Sequence, residues 1–458
     1  MQPPASAPAT PAYLPLWAKL TYSLGDHTVN IALSATSFFY LIFLTDHAGL
    51  RPGLAGLVVW VARAVDAASD PAMGRLSDLT NWRGERRRPY FLLGAVPFGV
   101  FFALMWTDSP FDGQTAKFFY YSGAYVLMSL AMTVLSVPYL ALIPEMATTY
   151  DARTSLNTFR SAGSVLGALA AVAMKPLADE LGGDAAAWAT SAAIAAVWLV
   201  VPWWPVHAVS FERPDYRRQT RGRFIEGARI AMRQHSYRIL VAFFILSRIS
   251  IDLIGVLFLL YFKVYIGRES DFAPTIALFL CTSVLALPFW LRIASRHDKG
   301  TIFVVGSTWW IVAQGFIYFI RPEWPREMVF LVAAFAAIGY ATCDLMPWSM
   351  LGDVIDEDEL VTGERREGLF VGFFTFLRKL GGATGVLFVG LVLEVLGYVS
   401  GAGGAAQSDR TVEGIRSLMS FGPAFFLVGA VLVALRYPLT RAAHRDIVAR
   451  LEQRRAKG

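Results

Sequence analysis

Two aspartates and one arginine interrupt an apolar segment in the stretch Val61-Ala-Arg-Ala-Val-Asp-Ala-Ala-Ser-Asp-Pro71. The preceding residues, Gly53-Leu-Ala-Gly-Leu-Val-Val-Trp60, are also apolar, so the segment is predicted to form one membrane-spanning helix. Asp66 and Asp70 are four positions apart and share a helix face, to which Arg63 also belongs. Because ionisable side chains at membrane depth are costly, they usually face a bundle interior or a water-filled cavity. The stretch therefore predicts a cation site inside a helical membrane transporter.

The composition is that of a polytopic membrane protein. The chain has 458 residues, of which 55% are hydrophobic and only 17% are charged, and its mean hydropathy is +0.47. A soluble protein of this length carries more charge. Apolar segments near the roughly 20 residues that span a bilayer are centred near residues 34, 62, 98, 128, 168, 195, 250, 282, 310, 338, 382 and 426. Because lipid cannot satisfy backbone polar groups, these runs predict an all-α membrane protein with twelve transmembrane helices.

The basic residues follow the even-numbered segments. Arginines cluster at Arg83–Arg88 after segment 2, eight lie from Arg213 to Arg238 after segment 6, and Arg441–Lys457 forms a basic tail. Loops after odd-numbered segments lack such clusters and contain acids such as Asp108 and Asp112. The positive-inside rule then places both termini in the cytoplasm, which requires an even number of spans. Topology thus explains the net charge of +6, and no nucleic-acid partner is predicted.

The longest loop, about residues 207–235, divides the segments into two sets of six. A weak internal repeat supports this division, since Val137–Glu145 closes segment 4 and the similar Met346–Asp353 closes segment 10. Chance similarity between helices of biased composition is the alternative. Two six-helix halves are typical of transporters whose halves rock about a central site. The predicted domains are a flexible N-terminal lead (1–15), an N-terminal half (16–206), a basic cytoplasmic linker (207–235), a C-terminal half (236–438) and a basic cytoplasmic tail (439–458).

Asp66 and Asp70 are the candidate cation-binding residues. Two nearby carboxylates repel each other unless a cation occupies the space between them, so the pair is expected to bind Na⁺ or a proton. A structural ion pair with Arg63 or another buried cation is the alternative. Lys379 lies deep in segment 11 and is predicted to be a mobile counter-charge for the two aspartates. Alternatively, its ammonium extends to the cytoplasmic surface, as long cationic side chains near helix ends do.

A second group of side chains is predicted to contact a substrate. Asp26 and Asn30 are four positions apart on segment 1 and form a polar stripe suited to a hydroxyl-rich ligand. An interhelical clamp is the alternative role for this stripe. Tyr139, Arg160 and Trp348 join the group, because aromatic rings stack on sugar rings and an arginine binds hydroxyls or carboxylates. Core packing is the alternative role for the two aromatic residues.

The sequence contains no motif that recommends an enzyme. A Walker A motif is absent, as are His-Glu-x-x-His and Gly-x-Ser-x-Gly patterns. We therefore predict a non-enzyme without a cofactor, whose only ionic requirement is a coupling ion, Na⁺ or H⁺. Arg248 and Asp252 are four positions apart and are predicted to form a structural ion pair.

Several motifs occur in the order and spacing of one transporter family. They are Tyr22-x-x-Gly-Asp26 followed by Asn30, Thr45-Asp46-x-x-Gly49, Ala62-Arg-x-x-Asp66-x-x-x-Asp70-Pro71, Val137-Pro-Tyr139 and Lys379-x-Gly381-Gly382. Through them the chain, over about residues 20 to 440, resembles the glycoside–pentoside–hexuronide:cation symporters, the melibiose permease group of the major facilitator superfamily. The motif of segment 2 is the specific one, and it is also similar to that of the sodium-dependent lysophospholipid transporters.

The resemblance implies a major facilitator fold and roles for individual residues. Asp66 and Asp70 would bind the coupling cation, with Lys379 near them. Residues at positions 26, 30, 63, 139 and 160 would face the sugar, which adds Arg63 to the substrate group.

The chain departs from melibiose permease at positions that bear on both sites. An acid of span 1 that contacts the sugar there is matched here by Asn30. An acid of span 4 near the cation site is matched by Ser136, with Thr133 one turn earlier, so Thr133 and Ser136 are the further cation-site candidates. Because the site has one carboxylate fewer, tight sodium binding is less favoured, and proton coupling stays open as an alternative. Leu140 stands where that family has an aromatic residue, so melibiose itself is not the expected substrate.

The predicted function is a secondary symporter that works by alternating access and couples Na⁺ or H⁺ to uptake of a sugar- or glycoside-type solute. Cation binding at Asp66 and Asp70 would release Lys379 and Arg63 from pairing with them. A sodium-dependent transporter of lysophospholipids or other amphiphiles is the alternative, and a non-transporting receptor or scaffold is the third. The predicted partners are the small-molecule substrate and membrane lipids. One chain would function as a monomer in the plasma membrane, expected to be a bacterial inner membrane.

Overall fold

The computed structural model is built almost entirely from helices. It describes residues 14–147, 149–213, 229–363, 366–401 and 404–457. Within these ranges the only β-type pairing is an isolated bridge between Trp82 and Glu85. The predicted all-α fold is thereby confirmed. Most of the predicted N-terminal lead and the middle of the predicted basic linker lie outside the described residues.

Within the described residues, twelve long helices lie at the predicted positions, and we number them as spans 1–12. The first six are Leu16–Ala35, continued by π-helical turns at Thr36–Tyr40 and Phe43–His47; Pro52–Leu79; Pro89–Met105; Gln114–Met146; Tyr150–Val172, extended by Met174–Glu180; and Ala185–Val200, extended by Trp203–Val209. The last six are His235–Leu260, continued by Tyr261–Ile266; Phe272–Ala294; Lys299–Phe319; Arg326–Thr362; Glu367–Leu396; and Asp409–Ala434. A final helix, Arg441–Lys457, forms the basic tail.

The starts of several helices follow local sequence signals. Pro52 and Pro89 lie in the first turn of spans 2 and 3, where a backbone amide has no helical partner to lose. At the start of span 6 the Ala187 amide donates a hydrogen bond of 2.8 Å to the Asp184 side chain. Such boundaries are set by neighbouring residues alone, which is why the helix positions were predictable.

Nine helices in the described ranges are long and apolar enough to cross a membrane by length and composition. Pro89–Met105 is apolar but shorter. Spans 1 and 2 do not reach the same apolar composition, because they carry charged residues such as Asp26 and Asp66. These two spans carry five of the predicted site residues, namely Asp26, Asn30, Arg63, Asp66 and Asp70.

Close helix approach at small residues positions the candidate site. Spans 1 and 5 meet at Gly163, where a Cβ atom would lie 2.6 Å from the Ser23 carbonyl oxygen. Spans 2 and 11 meet at Gly56, where a Cβ atom would lie 3.0 Å from Leu387 Cα. Residues without a large side chain allow this approach of two backbones. The first contact lies within the N-terminal half, whereas the second joins the two halves.

The two halves are linked at the centre and at the end of the bundle opposite the arginine-rich turns, which we call the far end. There Lys263 lies 2.5 Å from Asp46, and Lys175 lies 2.9 Å from Glu269. At the opposite, basic end, ion pairs such as Arg87–Asp78 (2.6 Å) stay within one half. Between described residues, no hydrogen bond or ion pair joins the halves at the basic end. Within the described residues, the polar links between the halves therefore lie at the centre and at the far end.

Candidate functional site

The ammonium group of Lys379 lies between the two aspartates of span 2. Its Nζ atom is 2.8 Å from Asp66 Oδ2 and 2.6 Å from Asp70 Oδ2. The side chains of Asp66, Asp70 and Lys379 are 3%, 23% and 15% exposed. Two carboxylates and one ammonium carry one net negative charge. Asp66 and Asp70 are one helix turn apart, whereas Lys379 follows Asp70 by 309 positions in sequence. The structure thus brings a distant cation to a local acidic pair.

Thr133 of span 4 completes the group around the two carboxylates. Its hydroxyl lies 2.9 Å from Asp66 Oδ1 and 3.2 Å from Asp70 Oδ1, and its single proton donates to one of them at a time. Ser69, which was not predicted as a site residue, lies 3.3 Å from the Thr133 hydroxyl. Ser136 is half-buried, and no hydrogen bond connects it to either carboxylate in the described part of the chain. The oxygen-rich group is therefore formed by spans 2 and 4, with an ammonium from span 11.

Arg63 does not pair with the aspartates of its own helix. Its Nε atom instead donates a hydrogen bond of 3.3 Å to the Tyr125 hydroxyl on span 4. The expectation that Arg63 pairs with these aspartates, as Lys379 does, is therefore wrong. The reason is geometric, since Lys379 already occupies the space between the two carboxylates.

Asp26 of span 1 forms a bidentate ion pair with Arg160 of span 5. The two distances are 2.6 Å from Nε to Oδ2 and 3.1 Å from Nη2 to Oδ1. Tyr139 joins this pair, because its hydroxyl lies 2.9 Å from Asp26 Oδ2 and its ring lies 5.3 Å from Arg160 Cζ. A bidentate arginine–carboxylate pair is among the strongest side-chain contacts. The close approach of spans 1 and 5 at Gly163 allows it.

Asn30 and Trp348 lie outside this ion pair. The Asn30 amide donates 2.8 Å to the Asp26 carbonyl and 3.1 Å to the Ser164 hydroxyl, so it bridges spans 1 and 5. Trp348 is 37% exposed and packs edge-on against Phe374, with ring centroids 5.0 Å apart. The structure therefore groups Asp26, Arg160 and Tyr139, and places Trp348 on the C-terminal half.

The far-end ion pair was missed by the sequence-based prediction of sites. Asp46 is almost fully buried, with a side chain 1% exposed, and accepts hydrogen bonds from Lys263 (2.5 Å), Tyr398 (3.0 and 3.1 Å) and Thr45 (2.9 Å). The motif Thr45-Asp46-x-x-Gly49 was the available signal. Its cationic partner could not be predicted from the sequence, because Lys263 is 217 positions away, in the C-terminal half.

At the basic end, outside the membrane-spanning segments, the carboxylate of Glu212 binds the arginine-rich turn. Glu212 accepts hydrogen bonds from the backbone amides of Arg86, Arg87 and Arg88 at 2.7 to 3.0 Å. Burial opposes ionisation of Glu212, but these amides and the Arg86 guanidinium hold the pKa of its carboxyl below the ordinary value. The arginine-rich turn after span 2 is thus fastened to the end of span 6.

The central group has the features of an exchangeable cation site. Its donors are carboxylate and hydroxyl oxygens, which hard cations prefer. The Lys379 ammonium makes its contacts across the boundary between the halves, from span 11 to span 2. Any cation that replaces it would therefore alter a link between the halves as well as a local charge.

Comparison of the whole chain with known proteins gives consistent relatives. An uncharacterised symporter of Synechocystis is 28% identical, with 95% of this chain and 96% of that protein aligned. The sodium-dependent lysophosphatidylcholine symporter 1-A of Danio rerio is 25% identical over 93% of this chain and 86% of its own. An Escherichia coli protein with the provisional name glycoside/cation symporter YagG is 28% identical, over 96% of this chain and 95% of its own.

A solved structure and a family model complete the comparison. A bacterial homologue of the human lysosomal transporter Spinster, in an inward-facing conformation, matches with a TM-score of 0.69 at 14% identity, covering 95% of this chain and 98% of that one. This match confirms the predicted major facilitator fold. The helices and the relatives together identify a multi-pass protein of the plasma membrane. A model described as MFS/sugar transport protein matches residues 21–441, so the chain belongs to the MFS/sugar transport family of membrane transporters.

Proposed function

We propose that this protein is a secondary symporter that couples entry of Na⁺ or H⁺ to entry of a sugar- or glycoside-type solute. One observation carries the proposal: the Lys379 ammonium lies within 2.8 Å of both Asp66 and Asp70. A buried site that holds two carboxylates against one ammonium has room for one exchangeable positive charge. The names of the symporter relatives support the same function.

In the proposed mechanism a cation replaces the Lys379 ammonium between the carboxylates. The Thr133 hydroxyl, 2.9 Å from Asp66, turns its lone pairs toward a sodium ion, or the carboxylates take up a proton instead. Lys379 then leaves the pair, and the central ion pair between the halves is lost. Because this pair links span 2 to span 11, the cation changes the relative free energies of the inward-facing and outward-facing states.

The solute is proposed to bind next to this site, in contact with both halves. Asp26, Arg160 and Tyr139 offer charged and hydroxyl groups from spans 1, 5 and 4, and Asn30 extends the polar surface. The half-exposed ring of Trp348 offers an apolar face from span 10. Solute and cation that stabilise the same state must strengthen each other's binding, and this shared free energy is the coupling.

The remaining functional expectations belong to this proposal. One chain would carry the whole cycle as a monomer surrounded by membrane lipids, without enzymatic activity, cofactor or nucleic-acid partner. The coupling ion is the only inorganic ligand that the mechanism needs. Ser136, one turn after Thr133, is kept as a candidate that a hydrated cation would reach.

Uptake into proteoliposomes tests the proposal. The purified chain is reconstituted and offered a panel of radiolabelled glycosides under imposed sodium and proton gradients, applied separately. Accumulation above equilibrium under one gradient is expected, and Asp66→Asn or Asp70→Asn should abolish it. The matched control is Asp446→Asn, because Asp446 belongs to an exposed pair with Arg450 on the tail helix. Normal accumulation by both site variants would contradict the proposal.

A second candidate is a sodium-dependent lysophospholipid symporter. The match to the Danio rerio protein of that name over 93% of this chain favours it. The same proteoliposomes distinguish the two candidates, since lysolipid and not glycoside would then be moved by a sodium gradient. Competition by unlabelled glycosides would support the first candidate, and competition only by amphiphiles the second.

A further inference from the structure

Arg378 is a half-buried arginine to which no described residue bonds. It precedes Lys379 on span 11, and its Nε–H group is buried and donates no hydrogen bond to the described residues. In the described part of the chain, no hydrogen bond or ion pair connects any atom of Arg378 to another residue. A guanidinium stays protonated at all accessible pH values, so the charge cannot be removed by deprotonation. A guanidinium in a membrane-spanning helix that no protein group pairs is available to an anionic group of a ligand.

Neighbouring residues on one face of span 11 define where Arg378 lies. Gly382, one helix turn after Arg378, contacts the Asp252 carboxylate of span 7. Gly385 lies on the same face, and a Cβ atom there would be 3.0 Å from the Ile249 carbonyl oxygen. Lys379 points instead to span 2, so the two adjacent cations serve different sides of the helix. Arg378 therefore belongs to the C-terminal half, next to the Arg248–Asp252 pair.

The carboxylates near Arg248 leave Arg378 without a direct partner. Arg248 forms a bidentate pair with Asp252, at 2.7 and 3.0 Å, which uses that carboxylate. Asp344 of span 10 lies 3.7 Å from Arg248, is 48% exposed, and has one buried oxygen without a hydrogen bond. Asp252 and Asp344 match Arg248 and Arg378 in number, but neither carboxylate forms a hydrogen bond or ion pair with Arg378.

The substrate group predicted from the sequence lacks such a free cation. Arg160 already holds Asp26 in a bidentate pair, and Lys379 holds two carboxylates. Among the described arginines of the central region, Arg63 bonds through Nε to Tyr125, whereas Arg378 forms no hydrogen bond or ion pair. A planar guanidinium binds a carboxylate or phosphate through two parallel hydrogen bonds.

We propose that Arg378, with Arg248 beside it, binds an oxyanion of the transported solute. This inference rests on the proposed symport function and deepens it, because it states that the solute carries a negative charge. The shared chemistry is a planar or tetrahedral oxyanion, such as the carboxylate of a glycuronide or the phosphate of a lysolipid. Asp344 limits the affinity, since its carboxylate competes for the same cations.

Binding of matched anionic and neutral ligands to the purified full chain tests the proposal. In the first arm, methyl glucuronide is compared with methyl glucoside. In the second arm, hexanoyl lysophosphatidate is compared with monohexanoylglycerol, both short enough to stay monomeric. In one arm the anion should bind about tenfold more tightly than its neutral partner. The arm that shows this preference identifies the source of the oxyanion.

Three variants assign the preference to Arg378. Arg378→Gln should remove the preference for the anion, and Arg378→Lys should retain part of it, because the charge remains. Asp344→Asn should raise anion affinity several-fold, and this half-exposed position tolerates the change even if Arg378→Gln folds poorly. The matched control Arg326→Gln should change nothing, because that arginine is 65% exposed at the far end.

The opposite results would overturn the inference. The inference fails if the neutral ligands bind as well as the anions in both arms, or if neither anion binds. It also fails if the anion preference survives Arg378→Gln and is unaffected by Asp344→Asn. Gradient-driven uptake of a neutral glycoside together with such results would leave the symport function intact and reject the anion site alone. Loss of gradient dependence for every ligand would instead reject the proposed function.

Discussion

Two of the ion-pair sites that join the halves of this protein differ in stoichiometry. At the centre, Lys379 faces two carboxylates, Asp66 and Asp70, of which Asp70 is 23% exposed. At the far end, Lys263 faces one carboxylate, Asp46, which is 1% exposed and also accepts hydrogen bonds from neighbouring hydroxyls. The central pair has an unmatched negative charge, whereas the far-end pair is neutral and saturated. The first is suited to cation exchange, and the second to holding the halves together.

The largest expected difference between the two pairs appears when each lysine is removed. Lys379→Gln should abolish gradient-driven accumulation and tighten cation binding about tenfold, because the competing ammonium is gone. Lys263→Gln should leave cation affinity unchanged, because Asp46 lies at the far end and is held by other donors. Titration of intrinsic tryptophan fluorescence with sodium, alongside uptake, measures both effects. Equal cation affinity in Lys379→Gln and the unmodified chain would break the comparison.

The second prediction concerns the link at the far end. Asp46→Asn leaves the Lys263 ammonium buried and unpaired, which should cost about 3 kcal/mol of stability in the closed arrangement. Hydrogen exchange should become faster at residues 43–50 and 261–266, which flank the pair. Glu413→Gln is the control, because Glu413 is 49% exposed in its pair with Arg416. Unchanged exchange in Asp46→Asn would show that other contacts hold the far end closed.

A matched pair of threonines sharpens the contrast with a smaller effect. Thr133 and Thr45 each donate a hydrogen bond of 2.9 Å to a carboxylate, Asp66 in the first case and Asp46 in the second. Thr133→Val should weaken cation binding about fivefold, since it removes one oxygen ligand. Thr45→Val should leave cation binding unchanged and reduce stability by about 1 kcal/mol. Isothermal titration with sodium and thermal unfolding separate the two outcomes, and similar effects of both variants would contradict the assignment.

The smallest expected effect lies at the basic end, where Glu212 links the arginine-rich turn to span 6. Glu212→Gln should cost about 1 to 2 kcal/mol, because the hydrogen bonds to a charged carboxylate become bonds to a neutral amide. Since the folded-state pKa lies below the ordinary glutamate value, this stabilisation is complete above the unfolded-state pKa. It is lost as the pH falls through the folded-state pKa. The stability difference between the two proteins should therefore shrink in acid, and a constant difference would contradict this account.

The helices were predictable from sequence because their causes are local. Apolar runs of the length of a bilayer, Pro89 in a first turn and the cap at Asp184 each act through neighbouring residues. The acidic pair was predictable for the same reason, since Asp66 and Asp70 are one turn apart on one helix. The weak hydropathy of spans 1 and 2 also follows from composition alone.

Pairings between helices were predictable only in part. Lys379 was expected near the aspartates through family resemblance, and the structure places it there. Arg63 was expected there as well, but it bonds to Tyr125 instead. Local pattern cannot decide between two cations for one space, because the choice depends on how spans 2, 4 and 11 pack.

The sequence by itself determined the class of protein, the positions of the spans and the two carboxylates that share a face of span 2. Hydropathy and helical periodicity are properties of neighbouring residues, so they need no tertiary information. Only the tertiary structure decided the charge balance of each site. It paired Arg160 with Asp26, left Arg378 without a partner, and saturated Asp46 from three directions. Charge compensation depends on distances between helices that are far apart in sequence, and close approach at residues such as Gly56 and Gly163 fixes those distances.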